Sequence, residues 1–328
     1  AGVTFWQLSW QGLWLFFVLL ILEVTFSFDN AVVNSRTLAS MSLIWQRIFL
    51  TVGIFIAVFA VRFLLPIVIV IFASGLNFGE VVSMALNNPE RYSHVLHDAS
   101  PMINAFGGIF LLMIGLSYFV DYNKQIHWVR GVEPWLARAG KFENFRACLI
   151  LLVMVVLYFT VEEKYKAMIL ISSVLGTLLH IGLELFGSLF GSHSSKDIKL
   201  KTGWAAFAAF LYLEVLDASF SFDGVIGAFA ITSSVILITS GLSAGAIWVR
   251  SLTIYLMRSG TLSKYRYLEH GAHWAIVALG IMMLFKLFHV ELPEWITGSL
   301  GLAFIILAIG SSVIEARHAK NTKNLQSS

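Results

Sequence analysis

The apolar positions of this chain run in long unbroken blocks separated by short polar stretches, without the one-face-in-seven spacing of a soluble helix. A bilayer core takes about 20 apolar residues as helix. That ruler predicts spans at about 11–33, 47–73, 102–120, 147–161, 166–190, 204–231, 235–257, 272–289 and 295–315. The expected fold is therefore all-α and polytopic, with about nine transmembrane helices; 147–161 is the shortest and would be tilted or partly re-entrant. The polar stretch 74–101 is long enough to hold a helix of its own. Residues 121–146 contain EPWLARAGKF, which reads as a short amphipathic segment on the membrane surface.

Composition agrees: 58% of the 328 residues are hydrophobic and 12% charged, and the mean hydropathy is +0.81, against roughly 45–50% and about 25% in soluble domains. The first 33 residues lack the charged start and cleavage site of a signal peptide, so the first apolar block is expected to stay in the protein. One cysteine, Cys148, excludes an internal disulfide. Basic residues are scattered through short loops with no aromatic-interleaved patch, which argues against nucleic acid as a partner. Their sidedness is informative. With nine spans, Arg36, Arg47, Lys124, Arg130, Arg138, Lys141, Arg146, Lys196, Lys199, Lys201, Arg258, Lys264, Arg266, Arg317, Lys320 and Lys323 share one side, whereas the other side has Arg91, Lys164 and Lys166 with Lys286 near a helix end. The excess of Lys and Arg marks the cytoplasm. The expectation is an N-terminus outside and a C-terminus in the cytoplasm, in a bacterial inner membrane. The bilayer is then the first partner; a homo-oligomer or a membrane-protein partner stays open.

Polar residues inside the spans carry the chemistry. LEVTFSFDNAVV (22–33) is nearly repeated as LDASFSFDGVIG (216–227), in spans one and six, which enter from opposite sides. In the span after each, GIFIAVFAVR (53–62) and GLSAGAIWVR (241–250) place an Arg nine residues beyond a Gly, and the third spans carry central Gly115 and Gly280. Three spans repeated in opposite orientation is the plan of many secondary transporters. It divides the chain into a first repeat (1–120), a cytoplasmic loop (121–146), two inserted helices (147–203), a second repeat (204–289), and a final helix with its tail (290–328).

A carboxylate at a helix centre costs about 2.5–3.5 kcal/mol on insertion scales, yet Glu23, Asp29, Glu214, Asp217 and Asp223 all lie in spans one and six. Arg62 and Arg250 could pair with some of them, leaving an acidic excess for a cation or protons. At about 100° per residue, Glu23, Ser27, Asn30 and Asn34 share a stripe and Asp29 lies off it. Asp217 and Ser221 share a face, while Asp223 points nearly opposite Glu214. Either the helices unwind near Ser27–Asn30 and Ser221–Gly224, or the acids have two jobs, metal ligand and proton carrier. The donors are carboxylate, amide and hydroxyl oxygens, suited to Mn²⁺, Mg²⁺ or Ca²⁺. The metal set is Glu23, Asp29, Asn30, Glu214, Asp217 and Asp223, with Arg62 and Arg250 as supporting charge and Ser27, Ser221, His180 and Glu184 as secondary candidates; no resident cofactor is expected.

The pattern Glu23, Phe26, Ser27, Asp29, Asn30 with Glu214, Asp217, Phe220, Asp223 resembles the TerC family of integral membrane proteins, and within it the DUF475-type branch. The resemblance covers the six repeat spans and the closing LPEWITGSLGLAFIILAIG. It implies divalent-metal transport, chiefly Mn²⁺ efflux, within the LysE-like transporter superfamily, with the motif acids as ligands; coupling to protons is the mechanism expected here of acids that can titrate. Gly224 departs from the small polar residue common in the family, so the second half would supply one ligand fewer. A metal-delivery or metal-sensing factor acting through a partner would use the same residues. An intramembrane aspartyl protease built on Asp29 and Asp223 is the remote alternative, because the Gly-x-Gly-Asp and Pro-Ala-Leu elements of those enzymes are missing; no enzyme activity is expected. His94, His97 and Asp98 in the outer loop read as solvated, and Glu269, His270 and His273 as interfacial.

Overall fold

A computed structural model describes residues 2–142, 144–190, 200–290 and 294–326; the side chains of 2–9, 190, 222, 223, 230, 294, 295, 298 and 319–326 lie outside the description. The described chain is helical throughout, as the apolar blocks require. Its one β-type contact is an isolated bridge between Met41 and Lys201, where Ser42 N–H donates to Lys201 O (3.0 Å) and Lys201 N–H to Ser40 O (2.7 Å). This bridge ties the chain that leaves the first acidic phrase to the chain that enters the second.

Helices α1 (Gly2–Phe26) and α2 (Phe28–Ala39) meet at a bend of 54° at Ser27, and the pair is long and apolar enough to make one broken span. The second is a continuous rod, α3 (Leu43–Phe55), a π-helical stretch (Ile56–Leu64) and α4 (Leu65–Ser74). Its widening has a local cause: Pro66 has no N–H to give, and its ring would press on the carbonyl one turn back, at Arg62. The outer loop holds two helices. Asn77 and Glu80 form a capping box on α5 (Phe78–Asn87), and Asn88 caps α6 (Pro89–Asp98). Tyr92 and Leu96 bury α6 against the bundle, leaving His94, His97 and Asp98 exposed.

The rest of the bundle is α7 (Ser100–Phe119), the surface helix α8 (Val132–Ala139), α9 (Phe145–Thr160), α10 (Lys166–Phe190), α11 (Gly203–Ile231), α12 (Val235–Arg258), the short α13 (Thr261–Lys264), α14 (Leu268–Lys286) and α15 (Glu294–Gln326). Seven described helices are long and apolar enough to cross a membrane, eight with the bent α1–α2 pair. The protein is thus an all-α polytopic membrane protein. The expected fourth span, α9, has 16 residues, about 24 Å of helix against a core of about 30 Å, and is the one expected span that length alone does not support.

Glycines set the closest helix contacts. On α12, Gly241 and Gly245, four apart, face α1: a Cβ at Gly245 would sit 2.6 Å from Glu23 Cβ, and one at Gly241 2.7 Å from Leu19 Cβ. Between α7 and α14 the approach is reciprocal, since a Cβ on Gly108 would lie 3.0 Å from Gly280 O and one on Gly280 3.0 Å from Gly108 O. The helices outside the repeated phrases also pack on this centre: α10 on α7 and α9, and α15 on α14, α1 and α2.

Candidate functional site

Five elements converge on one buried layer: the end of α1, the start of α2, the π-helical stretch, the middle of α11, and α12. Arg62 and Arg250 both reach Asp217. Arg250 forks onto Glu214, with Nη1 2.9 Å from Oε1 and Nη2 2.8 Å from Oε2, and its Nη2 also donates to Asp217 Oδ2 at 3.2 Å. Arg62 pairs with Glu23 and lies 3.9 Å from Asp217 Oδ2. Asn30 Nδ2 donates to Asp217 Oδ1 at 3.0 Å, and Ser27 Oγ to Glu23 Oε1 at 3.2 Å. Each guanidinium is also seated on a backbone carbonyl, Arg62 on Ala57 O (2.9 Å) and Arg250 on Phe49 O (3.1 Å). Gly53 is the reason the second fork fits: a Cβ there would be 2.7 Å from Glu214 Oε1 and would overlap the Arg250 guanidinium. All five ionic groups are buried.

Three carboxylates thus share two guanidiniums. Within the layer Asn30 Oδ1 is buried without a hydrogen-bond donor and Arg62 Nε and Arg250 Nε without an acceptor; Asn34 Oδ1, one turn beyond Asn30, and Ser221 Oγ, one turn beyond Asp217, are likewise buried and unpartnered. The Glu23 Oε2 side faces α11 at Gly224, where a Cβ would come within 3.4 Å of that oxygen. Among the described residues, no three His, Cys, Asp or Glu side chains form a group ready to hold a metal.

Asp29 is not in this layer. The bend at Ser27 turns it toward a small cavity, about 20 Å³, lined by Phe26, Phe220, Gly224, Leu279, Thr297 and Gly301; a Cβ on Gly301 would be 3.5 Å from the Asp29 carboxyl carbon. The space is of the order that one water needs. Asp223 lies within α11, which stays helical through 221–224; its side chain is outside the described residues. The structure therefore gathers Glu23, Ser27, Asn30, Glu214 and Asp217 with both arginines, and sets Asp29 apart. Unwinding occurs in the first copy alone: Gly224 and Gly227 permit a break in α11 but do not force one.

A family profile described as a protein of unknown function (DUF475) matches residues 28–319. The chain belongs to the DUF475 family. No curated protein and no solved structure matches it. The matched range includes Asp29, Asn30, both arginines and the whole second phrase, and leaves Glu23 and Ser27 just before its start.

Two further polar clusters of this DUF475 protein lie away from the layer. His180 and Glu184 do come together (3.4 Å), joined by Ser117 Oγ, 3.0 Å from His180 Nε2, and by Arg146, 2.8 Å from Glu184 Oε1. The second is one that the sequence did not point to. Glu133 of α8, in a segment expected to lie on the membrane surface, is fully buried. It accepts from Trp128 N–H (2.8 Å) and Trp274 Nε1 (2.9 Å) and lies 2.7 Å from His270 Nδ1. Burial alone would push its carboxyl up, but these hydrogen bonds and the His270 charge outweigh burial and hold it at about 2. His270 and His273, expected at the interface, are buried as well; His273 stacks on Tyr118 with ring centres 3.6 Å apart. The signal for Glu133 was faint: an acid in the first turn of a surface helix otherwise flanked by Arg and Lys.

Proposed function

We propose that this protein transports divalent metal cations across the bacterial inner membrane, with Mn²⁺ efflux coupled to protons as the specific reading and TerC, within the LysE-like superfamily, as the wider family. The observation that carries the proposal is the acidic excess of one buried layer, three carboxylates to two guanidiniums, in which Asn30 Oδ1 also receives no hydrogen bond. An uncompensated buried negative charge is costly. A hard cation or a proton removes that cost, and the donors present are those such a cation takes.

The bent first helix beside the layer and the antiparallel phrases agree with transporter architecture. The choice of Mn²⁺ and the outward direction rest on the resemblance to TerC; the placement of the N-terminus outside rests on the distribution of Lys and Arg. In this mechanism the ion enters from the cytoplasm and takes carboxylate oxygens that Arg62 and Arg250 hold in its absence. The two repeats then rock about the layer, and protons entering from outside displace the ion. Asp29, apart from the arginines and beside a water-sized cavity, is the proton carrier of the pair of roles.

The test is uptake of Mn²⁺, Ca²⁺, Mg²⁺ and Zn²⁺ into proteoliposomes holding the purified chain, beside Asp29→Asn, Asp217→Asn and Asp223→Asn. Expected is Mn²⁺ flux lost in Asp217→Asn, with Asp29→Asn losing its dependence on a pH gradient. Metal binding without flux in the wild type would overturn transport in favour of a delivery or sensing factor. Neither binding nor flux would reduce the acids to a structural ion network.

A further inference from the structure

The polarity of α8 is inverted. Its inward stripe carries the acid Glu133 with Leu136 and Ala137, whereas its outward stripe carries Val132, Trp135 and Arg138. Val132 is 45% exposed, Trp135 57%, and Phe142, just beyond the helix, 71%. A surface helix facing water would place the acid Glu133 outward and Val132 and Trp135 inward. Basic residues frame the apolar ones: Arg130, Arg138 and Lys141 are all exposed. The acid within the helix is turned away and satisfied by three partners; Glu143 lies outside the described residues.

This face is continuous with the surface that meets lipid. Trp135 packs edge-on against Phe145, ring centres 6.0 Å apart, and Phe145 opens α9, whose Leu151, Leu152, Val155, Val156 and Phe159 are exposed. Through Phe145 the ring of Trp135 thus adjoins the end of the exposed apolar face of α9. Tryptophan takes up the headgroup boundary, and each Lys or Arg near an anionic leaflet contributes favourably.

We propose that the outward face of α8 is a binding site for anionic phospholipid headgroups, with Val132, Trp135 and Phe142 seated at the acyl boundary and Arg130, Arg138 and Lys141 on the phosphates. It rests on the membrane reading of the bundle and is independent of what the central layer carries. The Glu133 contacts with His270 and Trp274 fasten the seated helix to α14.

The full chain in a Cys148→Ser background, spin-labelled through Val132→Cys or Phe142→Cys, would be placed in nanodiscs of phosphatidylcholine with and without phosphatidylglycerol. Accessibility to oxygen and to an aqueous nickel chelate would then be read. Expected is shielding of both labels from nickel that deepens with phosphatidylglycerol and is lost several-fold in Arg138→Gln/Lys141→Gln, but kept in Arg138→Lys. Free nickel access in both lipids overturns the site. Shielding indifferent to phosphatidylglycerol overturns the anionic headgroup, and shielding that needs a second protein assigns the face to a protein partner instead.

Discussion

Arg250 is the residue whose removal most directly probes the central layer. Arg250→Gln deletes three charge-assisted hydrogen bonds, two to Glu214 at 2.9 and 2.8 Å and one to Asp217 at 3.2 Å. Each such bond contributes about 1.5–3 kcal/mol, and breaking a buried pair from one side costs about 3–5 kcal/mol overall, because it strands a charge. The layer passes from three carboxylates on two guanidiniums to three on one. In Arg250→Gln/Glu214→Gln it returns to an excess of one, two carboxylates on Arg62 alone. The double variant is therefore expected to recover about 2 kcal/mol or more of the single variant's loss, a coupling at the upper end for residues in one network. Unfolding free energies from SDS titration in mixed micelles, compared across wild type, both singles and the double, measure it. A loss below about 1 kcal/mol in Arg250→Gln, or a double variant no more stable than the single, would refute the view that stranded charge dominates here.

Other substitutions test the neighbouring links. Gly245→Ala would press a methyl group to 2.6 Å from Glu23 Cβ; α1 must move away from α12, and a loss of about 1–3 kcal/mol is expected in the same titration, whereas Gly187→Ala, with nothing within 4 Å, should be neutral or better. Glu133 is held at about 2, below its ordinary 4.5, so its contribution is fully present above about pH 4.5 and is lost as pH falls toward 2. Hydrogen exchange of the 121–146 segment should rise over that window in the wild type, while Glu133→Gln should show raised exchange already at neutral pH and little further change on acidification. Arg62→Gln is expected to cost less than Arg250→Gln, because it strands Glu23 with Ser27 still donating and leaves Asp217 on Arg250 and Asn30; equal losses would mean that the two arginines are not distinguished by their partners.

The helices and the cast of the layer were legible in the sequence because both are local. Apolar block lengths locate spans, and the 100° step places Glu23, Ser27 and Asn30 on one stripe, where the structure has Ser27 bonded to Glu23 and Asn30 to Asp217. What stayed hidden depends on distant partners. Glu133 is buried because His270 and Trp274, more than 130 residues later, supply its hydrogen bonds, and no periodicity within 121–146 records them. The role of α15 was hidden likewise: it was read as an addition to the repeat, yet its Gly301 lies against Asp29.

The position of Asp29 shows why a helical wheel alone stops short. On a straight helix it is merely off the stripe; the 54° bend at Ser27 gives it a different neighbourhood altogether, among Phe220, Leu279 and Thr297 with no arginine lining the cavity. The same bend leaves Glu23 behind on α1 with Arg62. One phrase of seven residues thus delivers two acids to two environments, one rich in guanidinium and one nearly apolar. Acids so placed respond differently to the same event. On the transport proposal, a cation arriving in the arginine layer competes with charges already seated, which favours exchange over simple trapping. In the apolar cavity, a proton can neutralise the acid without disturbing any ion pair. Of the two explanations that the sequence left open, an unbroken α11 beside a bent α1–α2 removes the first in its full form, a break in both repeats; the division of labour is what the Asp29→Asn flux measurement tests.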